Sequence, residues 1–227
     1  MSRKLFILFL LLFAAATFRF ALMEQPFRKP HRFDLAFRGG VEVSGDGGKG
    51  ICMIKSLGLL DLASGGITAC DPFNGDCGPF NRHVPAGRYP VDVCVALFPE
   101  EERVAFSRVL FSMQRVKQWV PADIETGDSA ATVLYAVDSG TGCFSDRAGF
   151  LLFRDRMEMD PSFADSVQIL LEENNRVAWS WANLGSGGFG IVLFSSGWGR
   201  GEFASYWGLN AQGRPAALVT DFKVAGL

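Results

Sequence analysis

Histidine is almost missing from the 227-residue chain: only His31 and His83 occur, which limits any multi-histidine zinc site and any mechanism that needs a histidine base with a histidine partner. Basic charge is not in excess either. Lys and Arg total 22 against 24 Asp plus Glu, a net charge of −2, so the chain lacks the positive surplus of a phosphate-backbone binder and nucleic acid is not an expected partner. No internal repeat or low-complexity stretch is present. With 48% apolar and 20% charged residues the chain is neither disordered nor collagen-like, and it is long enough for one domain with a buried core.

Apolar residues are concentrated at the start. Arg3 and Lys4 precede LFILFLLLFAAATF (5–18), an unbroken run of 14 residues with the layout of a secretory signal. The run falls short of the about 20 residues of a spanning helix, although Phe20 to Met23 extend it if Arg19 snorkels. Ala14 and Ala16 offer a small-residue cleavage site. Residues 1–23 are thus a signal peptide or signal anchor, and the chain is expected to be exported, periplasmic or membrane-anchored at the cell envelope. Arg19, Arg28, Lys29 and Arg32 on the trailing side oppose translocation, so a tether facing the cytoplasm stays open. Residues 24–40 read as a basic linker with Pro26 and Pro30, and 41–227 as a single globular domain. Residues 1–32 hold six Lys or Arg and one Glu, so residues 33–227 carry a net −7.

Within the domain, 26 glycines, about 11% of the chain against the usual ~7%, punctuate short apolar runs. Residues 89–98 and 103–113 alternate and flank the acidic turn PEEE, which predicts an antiparallel hairpin. Further strands are expected at 132–138, 149–154, 177–182, 189–195, 203–209 and 216–222, the last two joined by NAQG at 210–213. Asp160 and Pro161 mark a helix start, followed by Phe163, Val167, Leu170 and Leu171 on one face. The class is α+β: a mainly antiparallel sheet, sandwiched or curled, with one or two packed helices.

Five cysteines leave an odd one in an exported chain. Cys70 and Cys77 bracket the turn-rich DPFNGD and form the disulfide candidate. Cys94 and Cys143 read as small buried hydrophobes. Cys70, Cys77 and His83 lack regular zinc spacing, and Asp71, Asn74 and Asp76 give only part of a calcium loop, so no metal or cofactor is expected.

The string LYAVDSGTG (134–142) resembles the strand and D-[ST]-G turn of aspartic proteases, but that chemistry requires two carboxylates sharing a proton, and a second copy is missing. Asp138 then reads as an acceptor of backbone amides in a strand-exit turn. His83 is the one histidine that a Ser-His-Asp or Cys-His arrangement could recruit. The glycine-rich turns at 185–188 and 197–201 do not open a helix after a strand, so no phosphate cradle is implied. Trp198, Tyr206 and Trp207 are candidate binding residues for a sugar or a protein surface, while the alternation of Phe203, Ser205 and Trp207 also suits a core strand.

Taken together, PAGRYPVDV (85–93), YAVDSGTGCFSD (135–146) and SSGWGRGEFASYWGLNAQGRPAALVTDF (195–222) resemble the bacterial family named domain of unknown function 4241, over residues 80–223. The resemblance implies a shared fold and shared motif positions, not a reaction. Those positions are Asp138, Gly140, Cys143, Asp146, Gly197, Trp198, Gly199, Tyr206, Trp207, Gly208 and Asp221. Arg200 departs from the acidic residue that the resemblance implies after GWG, which puts a cation site there in doubt. Two functions follow as expectations. One is a non-enzymatic protein-binding module, with another protein as partner and membrane contact only through the N-terminal segment. The other is a hydrolase in which Asp138, Asp146 and Asp221 converge, the crowding raising one pKa to supply an acid and a base.

Overall fold

Alternation along residues 89–98 places Val91 and Val93 on one face and Asp92 and Cys94 on the other, and both faces turn out to be covered. The computed structural model describes residues 32–75, 78–125, 134–185 and 188–227. Nine strands form a curled half-barrel: β1 (Glu42–Gly45), β2 (Gly48–Leu62), β4 (Gly87–Leu97), β5 (Glu102–Leu110), β6 (Gln118–Pro121), β7 (Leu134–Val137), β11 (Gly201–Leu209), β12 (Pro215–Asp221) and β13 (Ala225–Gly226). Their order is β13-β1-β2-β4-β5-β12-β11-β6, with β7 and β6 sharing β11 end to end. A second sheet has the order β3-β8-β10-β9, from β3 (Ile67–Cys70), β8 (Thr141–Asp146), β10 (Ile191–Ser195) and β9 (Trp181–Asn183). All described pairings are antiparallel.

The small sheet separates two cores. Phe144, Val192 and Phe194 face the half-barrel, while Cys70, Cys143, Ile191 and Leu193 face two helices, α2 (Arg147–Met159) and α3 (Pro161–Glu173). Period-two alternation in β8 and β10 makes this three-layer arrangement possible, since each strand feeds both cores. The helix at Asp160 forms as its sequence indicates: Asp160 accepts the Phe163 amide and Pro161 opens α3. The β11–β12 turn does too, with Gly213 at φ +73 and Asn210 Oδ1 accepting the amides of Gln212 and Arg214.

Three expectations need correction. Residues 149–154 are helix, not strand, because Asp146 caps the segment and Phe150, Phe153 and Met157 fall on one helical face; a short apolar run alone does not distinguish the two. Strand structure at 177–182 begins only at Trp181, although Trp179 and Trp181 do share a face and stack at 5.4 Å. The domain also begins earlier than residue 41. A short helix, α1 (Phe33–Ala36), lies on the convex face of the half-barrel, with the Phe33 ring 5.0–5.8 Å from those of Tyr206, Trp119 and Phe106. Behind it, the Phe37 ring covers the Arg108 guanidinium at 4.2 Å, and Arg108 pairs with Asp92 at 2.6 Å. Among the described residues no helix is long and apolar enough to cross a membrane.

Phe33 is 3% exposed and acts as a plug rather than as part of a spacer. Phe33→Ala is expected to destabilise residues 32–227 by about 3 kcal/mol, seen as a lower urea midpoint at unchanged slope. A linker position would leave the midpoint where it is.

Candidate functional site

The D-[ST]-G turn after residue 137 and the glycine-rich turn at 197–201 meet, while residues 186–187 of the other glycine-rich turn lie outside the described residues. The first, Asp138 to Thr141, links β7 to β8; the second, Ser196 to Arg200, links β10 to β11. The Ser196 amide donates to the Gly140 carbonyl at 3.0 Å, and the Ser196 hydroxyl donates to the Gly199 carbonyl at 2.8 Å. Gly197 has φ +60, and a Cβ there would lie 2.8–3.0 Å from Val224 and Phe222 atoms, so only glycine lets the turn close onto the end of β12.

A third segment, residues 71–75, fastens the first turn. Asp71 is buried, and its carboxylate accepts the amides of Phe73, Asn74, Asp138 and Ser139 together with the Ser139 hydroxyl, at 2.7–3.1 Å. Burial alone raises the Asp71 pKa. The hydrogen bonds from Ser139, Phe73 and Asp138 outweigh it, so this carboxyl is held below its ordinary value. Asp138 was expected to accept amides in its own turn; instead its amide is the donor and Asp71 the acceptor. The Asp138 side chain lies at the surface, 3.4 Å from Arg200 Nε, an exposed pair of little energetic weight. Arg200 thus neutralises the one carboxylate that faces outward from this turn.

Asp138, Asp146 and Asp221 do not converge. Asp146 is at the far end of β8, about 17 Å along the strand at ~3.4 Å per residue. It caps α2 through the Ala148 and Gly149 amides and accepts the Ser64 amide and hydroxyl. Asp221 ends β12, opposite Phe106 and Ala204, where it accepts the Lys223 amide; burial raises its pKa against the opposing effects of that amide and the Lys223 charge. Carboxylates in three separate settings cannot share a proton, so the arrangement required for the hydrolase is not formed.

Among the described residues the one histidine is His83. His83 is exposed and its backbone bridges Gly66. The nearby Ser64 hydroxyl donates directly to Asp146 at 2.7 Å, whereas a relay would need an imidazole between serine and acid. Among the described residues no group of three or more His, Cys, Asp or Glu is placed to hold a metal ion. Asp71, one of the three residues of the calcium-like pattern, is turned into backbone amides; Asp76 lies outside the described residues. Cys70 is disulfide-bonded, while Cys52, Cys94 and Cys143 are free; Cys77, its expected partner, also lies outside the described residues.

Of the three aromatic candidates, two are corrected. Tyr206 is 7% exposed and packs against Phe33, and Trp207 is fully buried between Phe80 and Phe111. Only Trp198 reaches the surface, 42% exposed, with the Arg103 guanidinium 5.0 Å from its ring centroid and Arg103 held by Glu101 at 2.9 Å. Phe73, 38% exposed, flanks a polar cleft that Ser139, Thr141, Glu172 and Ser180 also line. Sequence reasoning named Asp71 only as part of a calcium-like pattern and missed its anchoring role, and it missed Phe73 and Arg103 altogether. An Asx-type turn was legible in DPFNG, but its attachment to residues 138–139 is not a local property.

The fold defines a two-sheet α+β domain whose polar turn residues are spent on holding backbone. The family model for a protein of unknown function (DUF4241) matches residues 60–220, and the chain belongs to that family. No curated protein and no solved structure matches the chain.

Replacing Asp71 tests the tie between the segments. Asp71→Asn sets an amide group against donors and is expected to cost about 2–4 kcal/mol at pH 7, measured by chemical denaturation. Because the folded pKa lies below the unfolded one, the charged form stabilises the fold above about pH 3.9 and the benefit is lost as pH falls through the folded value. The gap between wild type and Asp71→Asn should therefore narrow only in the acid range below pH ~4.

Proposed function

We propose that the domain is a non-enzymatic protein-binding module, and that its recognition surface is the ridge of two glycine turns centred on Trp198. The observation that carries this reading is the exposed Trp198 ring, backed by Arg103 and mounted on a turn that Gly197, Ser196 and Gly140 hold rigid. A large aromatic with little freedom left to lose is the usual anchor of a protein interface, and arginine beside it is the next commonest. Phe73 and the Asp138–Arg200 pair supply a mixed apolar and charged surround.

We read the chain as an exported or envelope-tethered bacterial protein with an N-terminal signal peptide or anchor, on the strength of Arg3, Lys4 and the apolar run at 5–18. The net −7 of residues 33–227 favours a basic partner and raises its association rate at low salt.

Trp198→Ala should leave folding intact, because the ring is largely outside the core, and should weaken partner binding by about 30-fold, the scale of a ~2 kcal/mol hot spot. Titration of a co-purifying partner by calorimetry, with Leu152→Ala on α2 as the control, measures it. Equal affinity for Trp198→Ala and wild type would remove this ridge from the interface.

A further inference from the structure

We propose that the polar cleft between Phe73 and the C-terminal turn of α3 is the seat of one arginine side chain, supplied by the partner protein. The inference rests on the protein-binding reading and deepens it, because it names what the partner presents.

The cleft has a volume of about 380 Å³, inside the ~300–1,000 Å³ usual for small-ligand sites and ample for one long side chain. Half-exposed Phe73 forms one wall, and Gln168, Glu172 and Asn175, from the last turn of α3 and its exit, form another. Charge decides what fits between them. Glu172 and Glu173 end α3 at the negative end of its dipole, and no basic residue stands in that last turn. Glu172 accepts a hydrogen bond from Gln168 Nε2 at 3.1 Å, and among the described residues no Lys or Arg pairs with it. Arg176, four residues on, lies past the helix end and is turned over the Trp181 ring at 5.2 Å. Behind Ser139, which also lines the cleft, the Asp71 carboxylate adds a second negative charge 2.9 Å from the Ser139 hydroxyl. A carboxylate thus stands in a cleft with no cation among its described lining residues, in a domain whose residues 33–227 carry a net −7.

A guanidinium suits this set of groups. It is planar and stacks on aromatic rings, which Phe73 offers, and it is weakly hydrated, so entry into a partly closed cleft costs little desolvation. Two of its N–H groups bind a carboxylate side by side, and the remainder need neutral oxygen acceptors. Thr141, Asn175 and Ser180 line the cleft and carry such oxygens in their side chains, none of them committed to another described residue. A lysine ammonium is a strongly hydrated point charge that matches neither the ring nor the carboxylate fork. A sugar would bring no charge for Glu172 to meet.

NMR titration of the full chain tests this with N-acetyl-arginine N-methylamide, with its citrulline analogue, which keeps the shape and loses the charge, and with methyl glucoside. The expected result is saturable shifts of the Ser139, Thr141 and Ser180 amides with the arginine probe and about tenfold weaker binding of the citrulline probe, the scale of one charge-assisted hydrogen bond. Glu172→Gln should bring the arginine probe down to the affinity of the citrulline one. Equal affinity of the two probes for the wild-type chain, or an arginine affinity that Glu172→Gln leaves unchanged, would overturn the proposal. So would saturation of the same amides by methyl glucoside and not by the arginine probe, the mark of a saccharide site. Trp198 does not line the cleft, so Trp198→Ala should leave the arginine probe's affinity as it is. A cleft that ignores the arginine probe, beside a partner that still loses affinity in Trp198→Ala, overturns the arginine site alone; arginine binding beside a partner indifferent to Trp198 supports the site and removes the ridge.

Discussion

One carboxylate holds the distinctive end of this molecule together. Asp71 gathers five donors from two segments that are 67 residues apart in the chain, and a charged acceptor makes each bond worth more than a neutral one. The turn at 138–141 then presents the Gly140 carbonyl to Ser196, which positions the turn that carries Trp198. The exposed ring is the last link of a chain whose first link is buried. The same arrangement commits Asp71 to holding backbone, since a carboxylate saturated by donors has no lone pair left for a proton in flight.

The other acids follow the same logic. Asp146 caps α2, Asp160 caps α3 and Asp221 closes a bend before Lys223. Each sits where a strand or helix changes direction and leaves backbone amides unpaired, and each satisfies them. Aspartate at a strand exit thus has two readings in sequence, catalyst or backbone cap, and only the convergence of several separates them.

Much of the architecture was legible. The alternation through Val91 and Val93, the PEEE turn, the Asp160–Pro161 helix start and the NAQG turn are local signals, and each led to the right element. Three features were not, for identifiable reasons. The 15-residue strand β2 carries a bulge at Ser56/Gly58 and leaves Ile51 and Met53 exposed, so its period-two pattern is broken. Phe33 follows prolines and basic residues and gains its meaning only from the convex sheet face it covers. At 149–154 the run GFLLFR suits strand or helix until the cap at Asp146 is recognised. For the site, the two turns and Trp198 were visible as motifs, and the alternation of Phe203, Ser205 and Trp207 already suited a core strand, whereas the contact of the turns, the role of Asp71 and the burial of Tyr206 depend on pairings distant in sequence.

Amide hydrogen exchange measures the central tie most directly. If Asp71 anchors the ridge, the amides of Asp138 and Ser139 exchange slowly in the folded protein and are among those most accelerated by Asp71→Ala, while amides of β4 and β5 keep protection close to that set by global stability. Fast exchange at Asp138 and Ser139 in the wild-type protein, or protection there that survives the substitution unchanged, would contradict the account.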